Sequence, residues 1–319
     1  MEQALVDVYV CSKPLQWFNI HNLNHSKERR NILIVIDSFS GSSDFCKRLS
    51  EYDNIWSEIL IAESRSDSVK LASKFKIHSL HVDCDYGIVG YKYSLLKPHF
   101  FYVIEEGFGP YVDKIAEKSV PFIKMVLFKL LGWGTYLGGA PFTNGIYLYN
   151  PAYYINKWNC PKERILNFNY SFFELLRKES LILENVFPIP EYISNVKQGK
   201  VLLYLTAYDI KDLAVNYIID NTDFFDTVII KLHPHLKEEP VEIKKIREII
   251  GDKLIAFNSN ILAELIISNL SDTNELTIIN EGSASCLYIT DPTIKLIDLK
   301  SKYNEEIEMF KVALSNNNH

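Results

Sequence analysis

Three polar clusters and one acidic residue are of types that could do chemistry, and each follows an apolar run. Glu105-Glu106-Gly107 follows "HFFYVI", His233-Pro234-His235 follows "TVIIKL", Gly282-Ser283-Ala284-Ser285 follows "ELTIINE", and Asp209 closes "LLYLTAYD". A carboxylate can take the proton of an attacking hydroxyl when its surroundings raise its proton affinity. A histidine can donate a charge-assisted hydrogen bond to a phosphate, or protonate it as it leaves. A Gly-Ser turn that opens a helix offers backbone N–H groups and hydroxyls to an anion. Taken singly, each cluster has a plainer explanation: a solvated strand end, a proline that stops a strand, a helix cap. Together they make a base, an acid and a phosphate cradle, which suits transfer from a nucleotide-activated donor.

A metal centre is not expected. His-Pro-His in extended backbone points its two rings apart, and no HExxH-type pattern is present. The five cysteines, Cys11, Cys46, Cys84, Cys160 and Cys286, are scattered without a CxxC pair, and read as reduced thiols of a cytoplasmic protein.

These clusters need strands to present them. "VDVYVC" (6–11), "NILIVID" (31–37), "EILIAE" (58–63), "SLHVDC" (79–84) and "HFFYVIEEG" (99–107) are short, apolar and rich in β-branched or aromatic residues. Such runs suit strands buried on both faces. Segments of helical spacing lie between them, so a parallel sheet with helices on both sides is expected. The rhythm breaks from about Gly132 to Lys200, where glycine, proline, asparagine and tyrosine gather, and restarts at "KVLLYLTAY" (200–208). The organisation expected is two α/β domains with a cleft between them: a first domain over 1–150, a linker region over 151–199 and a second domain over 200–319. In such sheets ligands bind beyond the carboxyl ends of the strands, where all four candidates fall.

Composition narrows the function. With 319 residues, 34 Lys+Arg and 40 Asp+Glu, the chain can build two cores and lacks the basic balance of a nucleic-acid binder. "CSKPLQ" after the first strand is not the G-x-G-x-x-G of a dinucleotide fold. The N-terminus "MEQALVDVYV" lacks the features of a signal peptide. The apolar stretch Ser119–Gly134 carries Lys124 and Lys129 and is expected to be a buried helix, with a membrane-surface helix as the alternative.

In this order, Glu105-Glu106-Gly107, His233-Pro234 and Ser283-Ala284-Ser285 resemble the D/E-D/E-G, HP and serine motifs of bacterial sialyltransferases, and "VYVCSKPLQ" (Val8–Gln16) resembles the opening of glycosyltransferase family 52. The resemblance spans residues 8 to 285 in short motifs. It implies a GT-B fold and an inverting, metal-independent transfer of sialic acid from CMP-sialic acid to an oligosaccharide or glycolipid of a capsule or lipooligosaccharide, with no cofactor. It makes His233 the acid at the CMP phosphate, with Pro234, Gly282, Ser283 and Ser285 around that phosphate. It sets Glu264 near the cytidine or ribose, and makes Glu105, Glu106 or Asp209 the base, with the Glu pair favoured. A second CMP-activated nonulosonic acid, Kdo, or a non-catalytic nucleotide-binding role would use the same clusters. A cytoplasmic place, at the inner face of the membrane or free of it, and a homodimer are both compatible with this reading.

Overall fold

The computed structural model describes residues 4–111, 122–206, 210–233, 236, 238–259, 261–281, 284–289, 291–299 and 309–313. Two compact units divide the chain, one over Met1–Val186 with Val312–His319 and the other over Phe187–Lys311.

The first unit carries strands β1 (Leu5–Cys11), β2 (Arg30–Ile36), β3 (Glu58–Ala62), β4 (Lys76–Val82), β5 (Phe100–Ile104), β6 (Gly145–Leu148) and β7 (Ile165–Asn167). They form one sheet in the order β3-β2-β1-β4-β5-β6-β7, with every pairing parallel. Parallel neighbours need a crossover, and helices supply most of these. They are α1 (Pro14–His21), α2 (Ser42–Tyr52), α3 (Arg65–Ala72), α4 (Gly87–Ser94), α5 (Phe122–Leu130), α6 (Pro151–Trp158), α7 (Phe172–Lys178) and α8 (Ser180–Val186). Local chemistry starts several of them. The Ser64 hydroxyl accepts from the Asp67 N–H (3.1 Å) at α3, and Asn150 accepts from the Tyr153 N–H (3.2 Å) ahead of Pro151 at α6. Ser171 and Glu174 form a capping box at α7.

The second unit holds α9 (Glu191–Ser194), β8 (Lys200–Leu205), α10 (Asp212–Asp220), β9 (Thr227–Leu232), α11 (Val241–Ile250), β10 (Leu254–Asn258), α12 (Ala263–Ser271), β11 (Glu275–Asn280) and β12 (Lys295–Asp298). Its parallel sheet has the order β10-β9-β8-β11-β12. One side of it packs Leu202, Tyr204, Val228 and Ile230 against Ala214 and Ile218 of α10 and Ile243 and Ile246 of α11. Both sheets therefore put their first strand in the middle and reverse direction beside it, between β1 and β4 and between β8 and β11. That reversal is where α/β sheets open a crevice for ligands.

Three expectations are corrected. The segment 151–199 is not a linker: α6, β7, α7 and α8 lie in it, β7 extends the first sheet, and the first unit runs to Val186. Its glycines and tyrosines mark turns between short elements, which composition does not separate from a linker. The stretch containing α5 is not buried: Ile123 and Leu130 are 74% and 79% exposed, Val126 and Leu127 lie on the same exposed stripe, and Phe128 is buried. No helix among the described residues is long and apolar enough to cross a membrane. The serine cluster leads into a single 3-10 turn, Ala284–Cys286, instead of a full helix.

Candidate functional site

At the carboxyl end of the first sheet, β5 runs out into Glu105 and Glu106, and Gly107 takes φ 53°, the left-handed region that glycine enters without strain. The turn sends the two carboxylates to different surroundings. Glu105 is 0% exposed. Its Oε2 accepts from the Tyr111 hydroxyl and from the Tyr149 N–H (2.7 Å), and its carbonyl accepts from Asn19 Nδ2 (2.8 Å). It ties β5 to β6 and to α1. Glu106 reaches the surface, with a side chain 17% exposed and ion-paired to Lys13 at the mouth of β1. Of the pair, Glu106 alone reaches solvent.

The switch point of this sheet holds residues the sequence motifs did not single out as a group. Arg65, which opens α3, makes a two-pronged ion pair with Asp83 just past β4. Ser12 Oγ (3.2 Å) and Gln16 Nε2 (3.1 Å) donate to the same carboxylate. Burial alone would raise the Asp83 carboxyl, but the Arg65 hydrogen bonds and charge hold it below the usual range. The crevice between β1 and β4 is thus filled by the protein's own charges. Two residues on, buried Asp85 accepts from the Gly138 N–H (2.9 Å), the Ala140 N–H (3.1 Å) and the Thr143 hydroxyl (2.6 Å), and so fastens the "GGAPFT" loop. Phe142 of that loop packs edge-on against Phe101 (5.1 Å). Beyond β6 and β7 lies a hollow of about 650 Å³, lined by Tyr149, Phe168, Tyr170, Asn167, Asn169 and Lys162 among others. Tyr149 and Phe168 stack there at 4.2 Å.

In the second unit, β9 ends in Lys231 and Leu232, and His233 follows it. The His233 N–H donates to Thr206 Oγ1 (2.8 Å) just past β8, and the Thr206 N–H donates to the Lys231 carbonyl (3.2 Å). This cross-strand clasp holds the half-buried His233 at the sheet's carboxyl edge. Glu264, in the first turn of α12, is 2% exposed, and its Oε1 has no hydrogen-bond partner among the described residues. Burial raises its carboxyl above the usual range, against a hydrogen bond from Ser285 and the charge of Lys231. Burial also pushes the Lys231 ammonium down to about 8, with Glu264 pulling it up, and its Nζ donates to the Ser259 carbonyl (3.2 Å). His233, Glu264 and Ser285 thus share one edge of one sheet, together with Lys231. Motif reading passed over Lys231, although a lone lysine in an apolar strand was a visible signal. Pro234, His235, Asp209, Gly282 and Ser283 lie outside the described residues.

No family model matches the chain, and no curated protein matches its sequence. Solved structures match its fold. The UDP-GlcNAc 2-epimerase of Neisseria meningitidis is 12% identical with a TM-score of 0.55, over 97% of this chain and 93% of that one. That of Methanocaldococcus jannaschii is 13% identical with a TM-score of 0.56, over 98% and 92%. A 2,6-sialyltransferase of Photobacterium sp. JT-ISH-224, solved with CMP and lactose, is 9% identical with a TM-score of 0.55, over 97% and 76%. The fold is GT-B, with two Rossmann-like units. Identities this low speak for the GT-B architecture alone. Within it, the carboxyl edge of the first sheet presents Glu106 beside Lys13. The corresponding edge of the second presents His233, Lys231, Glu264 and Ser285.

Proposed function

We propose that this chain is an inverting, metal-independent glycosyltransferase that moves sialic acid from CMP-sialic acid to a terminal sugar, galactose in the first instance, of a capsule or lipooligosaccharide. The observation that carries the reading is His233 clasped at the end of β9, with Lys231, Glu264 and Ser285 at the same edge. These are groups for a phosphate and a nucleoside on one sheet.

In this reading the acceptor hydroxyl attacks the anomeric carbon of the donor and gives its proton to Glu106. The bond from that carbon to the CMP phosphate oxygen breaks, and His233 gives its proton to the leaving phosphate. Glu105 acts through its hydrogen bonds to Tyr111 and Tyr149, as a positioning residue for the strand ends around Glu106. Glu264 is suited to accept hydrogen bonds from ribose hydroxyls, since its buried oxygen has no donor among the described residues. Asp209 is the other candidate base, and Pro234, Gly282 and Ser283 complete the phosphate surroundings. A single phosphate leaving group carries less charge than a diphosphate, so one protonated histidine and oriented donors suffice without a divalent cation. The transition state is oxocarbenium-like. The hollow lined by Tyr149, Phe168, Asn167 and Asn169 has the aromatic faces and amides that an acceptor sugar needs. A glycolipid acceptor would bring the chain to the inner face of a membrane, where the apolar stripe of α5 is the element to lie on it.

The test is CMP release from CMP-sialic acid with a galactose-terminated acceptor, repeated with Kdo and other nonulosonic-acid donors and with UDP-GlcNAc alone. Turnover with the sialic acid donor that is lost in His233→Ala supports the reading. Turnover of UDP-GlcNAc without an acceptor, or tight CMP binding with no transfer, overturns it in favour of an epimerase or a binding protein.

A further inference from the structure

A doubly wound sheet ordinarily shows aliphatic side chains on both faces. One face of the first sheet departs from this toward the amino ends of its strands. Asp7, Ser79 and Phe100 are register partners across β1, β4 and β5, and so are Tyr9, His81 and Tyr102 in the next row. The chain after α1 brings His25 and Arg29 beside them, and Tyr147 of β6 closes a hollow of about 340 Å³. It lies apart from the carboxyl edge that carries Glu106.

The protons on its floor can be assigned. Arg29 Nε donates to Asp7 Oδ2 (2.9 Å) and Ser79 Oγ donates to Asp7 Oδ1 (2.7 Å). With the Ser79 proton committed, His81 Nε2, 3.1 Å from Ser79 Oγ, is the donor of that pair. His25 Nε2 lies 3.1 Å from the Ile20 carbonyl, which can only accept. Both rings therefore keep a lone pair at Nδ1, both Nδ1 atoms are buried without a partner among the described residues, and both residues line the hollow. His81 is 6% exposed. Both rings are neutral, burial holding His81 at about 3 and His25 at about 4. Asp7 is offset by Arg29, so the floor favours an uncharged ligand that brings hydrogen-bond donors.

The walls narrow the class further. His81 is stacked on Tyr9 (4.5 Å, 16°) and tilted against Tyr102 (5.0 Å), whereas His25 meets Tyr9 at 50°. The two acceptors thus sit on differently inclined rings. A planar base holds its donors in one plane, but a pyranose radiates hydroxyls in several directions and packs its C–H face on aromatic rings. We propose that this hollow is a second carbohydrate site, which binds an uncharged pyranose through hydroxyls donated to His81 and His25 and a ring face laid on Tyr102, with Tyr147 as a side wall at 65° to it. The site stands on its own geometry and needs no donor nucleotide.

The experiment is saturation-transfer NMR on the full chain with methyl galactoside, methyl glucoside and N-acetylglucosamine, in a Phe168→Ala background that strips the hollow beyond β6 and β7 of its stacked aromatic face and leaves Tyr102 in place. Saturation of ring protons by at least one sugar, with millimolar affinity weakened by about tenfold or more in Tyr102→Ala and in His81→Leu, is the expected result. Tyr102 and Tyr147 are only partly buried, so Tyr102→Ala and Tyr147→Ala keep the test valid if His81→Leu does not fold. No saturation of any of the three sugars, or equal saturation with and without Tyr102, overturns the site and leaves a hollow filled by water. Binding of adenosine or cytidine that is lost in Tyr102→Ala overturns the sugar class. Absence of CMP release from the wild type would sink the transfer reading alone, since none of these probes needs a donor.

Discussion

Replacing Glu106 with glutamine keeps its shape and removes its capacity to take a proton. Turnover should fall by about 10²–10⁴-fold with the melting temperature unchanged, as read by steady-state kinetics beside a thermal melt. Glu105→Ala should do the reverse in kind. It strands the Tyr149 N–H and the Tyr111 hydroxyl inside the protein and should cost about 1–3 kcal/mol of stability. If Glu105→Gln instead abolishes turnover without lowering the melting temperature, the roles of the pair are exchanged. His81 sets a pH dependence. Its proton affinity is about 3 in the folded protein, below the ordinary 6.5, so between those values the unfolded chain binds more protons. Its contribution is fully present above pH 6.5 and is lost as pH falls toward 3, at about 1.4 kcal/mol per pH unit. His25, held at about 4, adds a like slope over the same range, so urea unfolding at pH 7, 6 and 5 should show both and His81→Phe should remove about half of it.

Elements carry these residues, and elements are where the sequence was readable to different depths. β1, β2, β8 and β9 announced themselves as continuous apolar runs, because a parallel strand buried on both faces has no polar side to show. The short β7 did not, since three residues in a polar stretch make a strand only by pairing with β6. His233 and Glu106 stand out in the sequence because motif and strand end coincide. Arg65 and Asp83 were not recognised as partners, for nothing local says that the start of α3 meets the end of β4. Arg65→Ala should cost about 3 kcal/mol or more in chemical denaturation, because it leaves a buried carboxylate without its guanidinium. α5 was misjudged because an apolar stripe reads the same whether it faces a core or the outside. If it faces a membrane, Ile123→Ser with Leu130→Ser should reduce co-sedimentation with anionic vesicles several-fold and leave turnover on a soluble acceptor intact. Unchanged co-sedimentation would dismiss that role.

At the scale of the whole molecule, the same strand order is used twice with unlike contents. In the first unit the crevice beside the central strand is occupied by Arg65, Asp83, Ser12 and Gln16. In the second, the edge carries Glu264 with an oxygen that has no donor among the described residues. In the proposed reading the second unit holds the nucleotide and no ion is required, so turnover in excess EDTA should stay within about twofold of that without it. A loss restored by added magnesium would contradict the proposal. The repeated order has a further consequence for how the chain is made. The central strands β1 and β8 are each the first of their sheet to leave the ribosome, yet each needs a flanking partner, β4 or β11, that emerges only after two more strands. Every strand of the first sheet has emerged before β8 begins, so that sheet can settle during synthesis while the second is still being translated. Nascent chains stalled after Val186 should already resist protease over 4–111, whereas chains stalled after β10 should leave β8 and β9 open to cleavage.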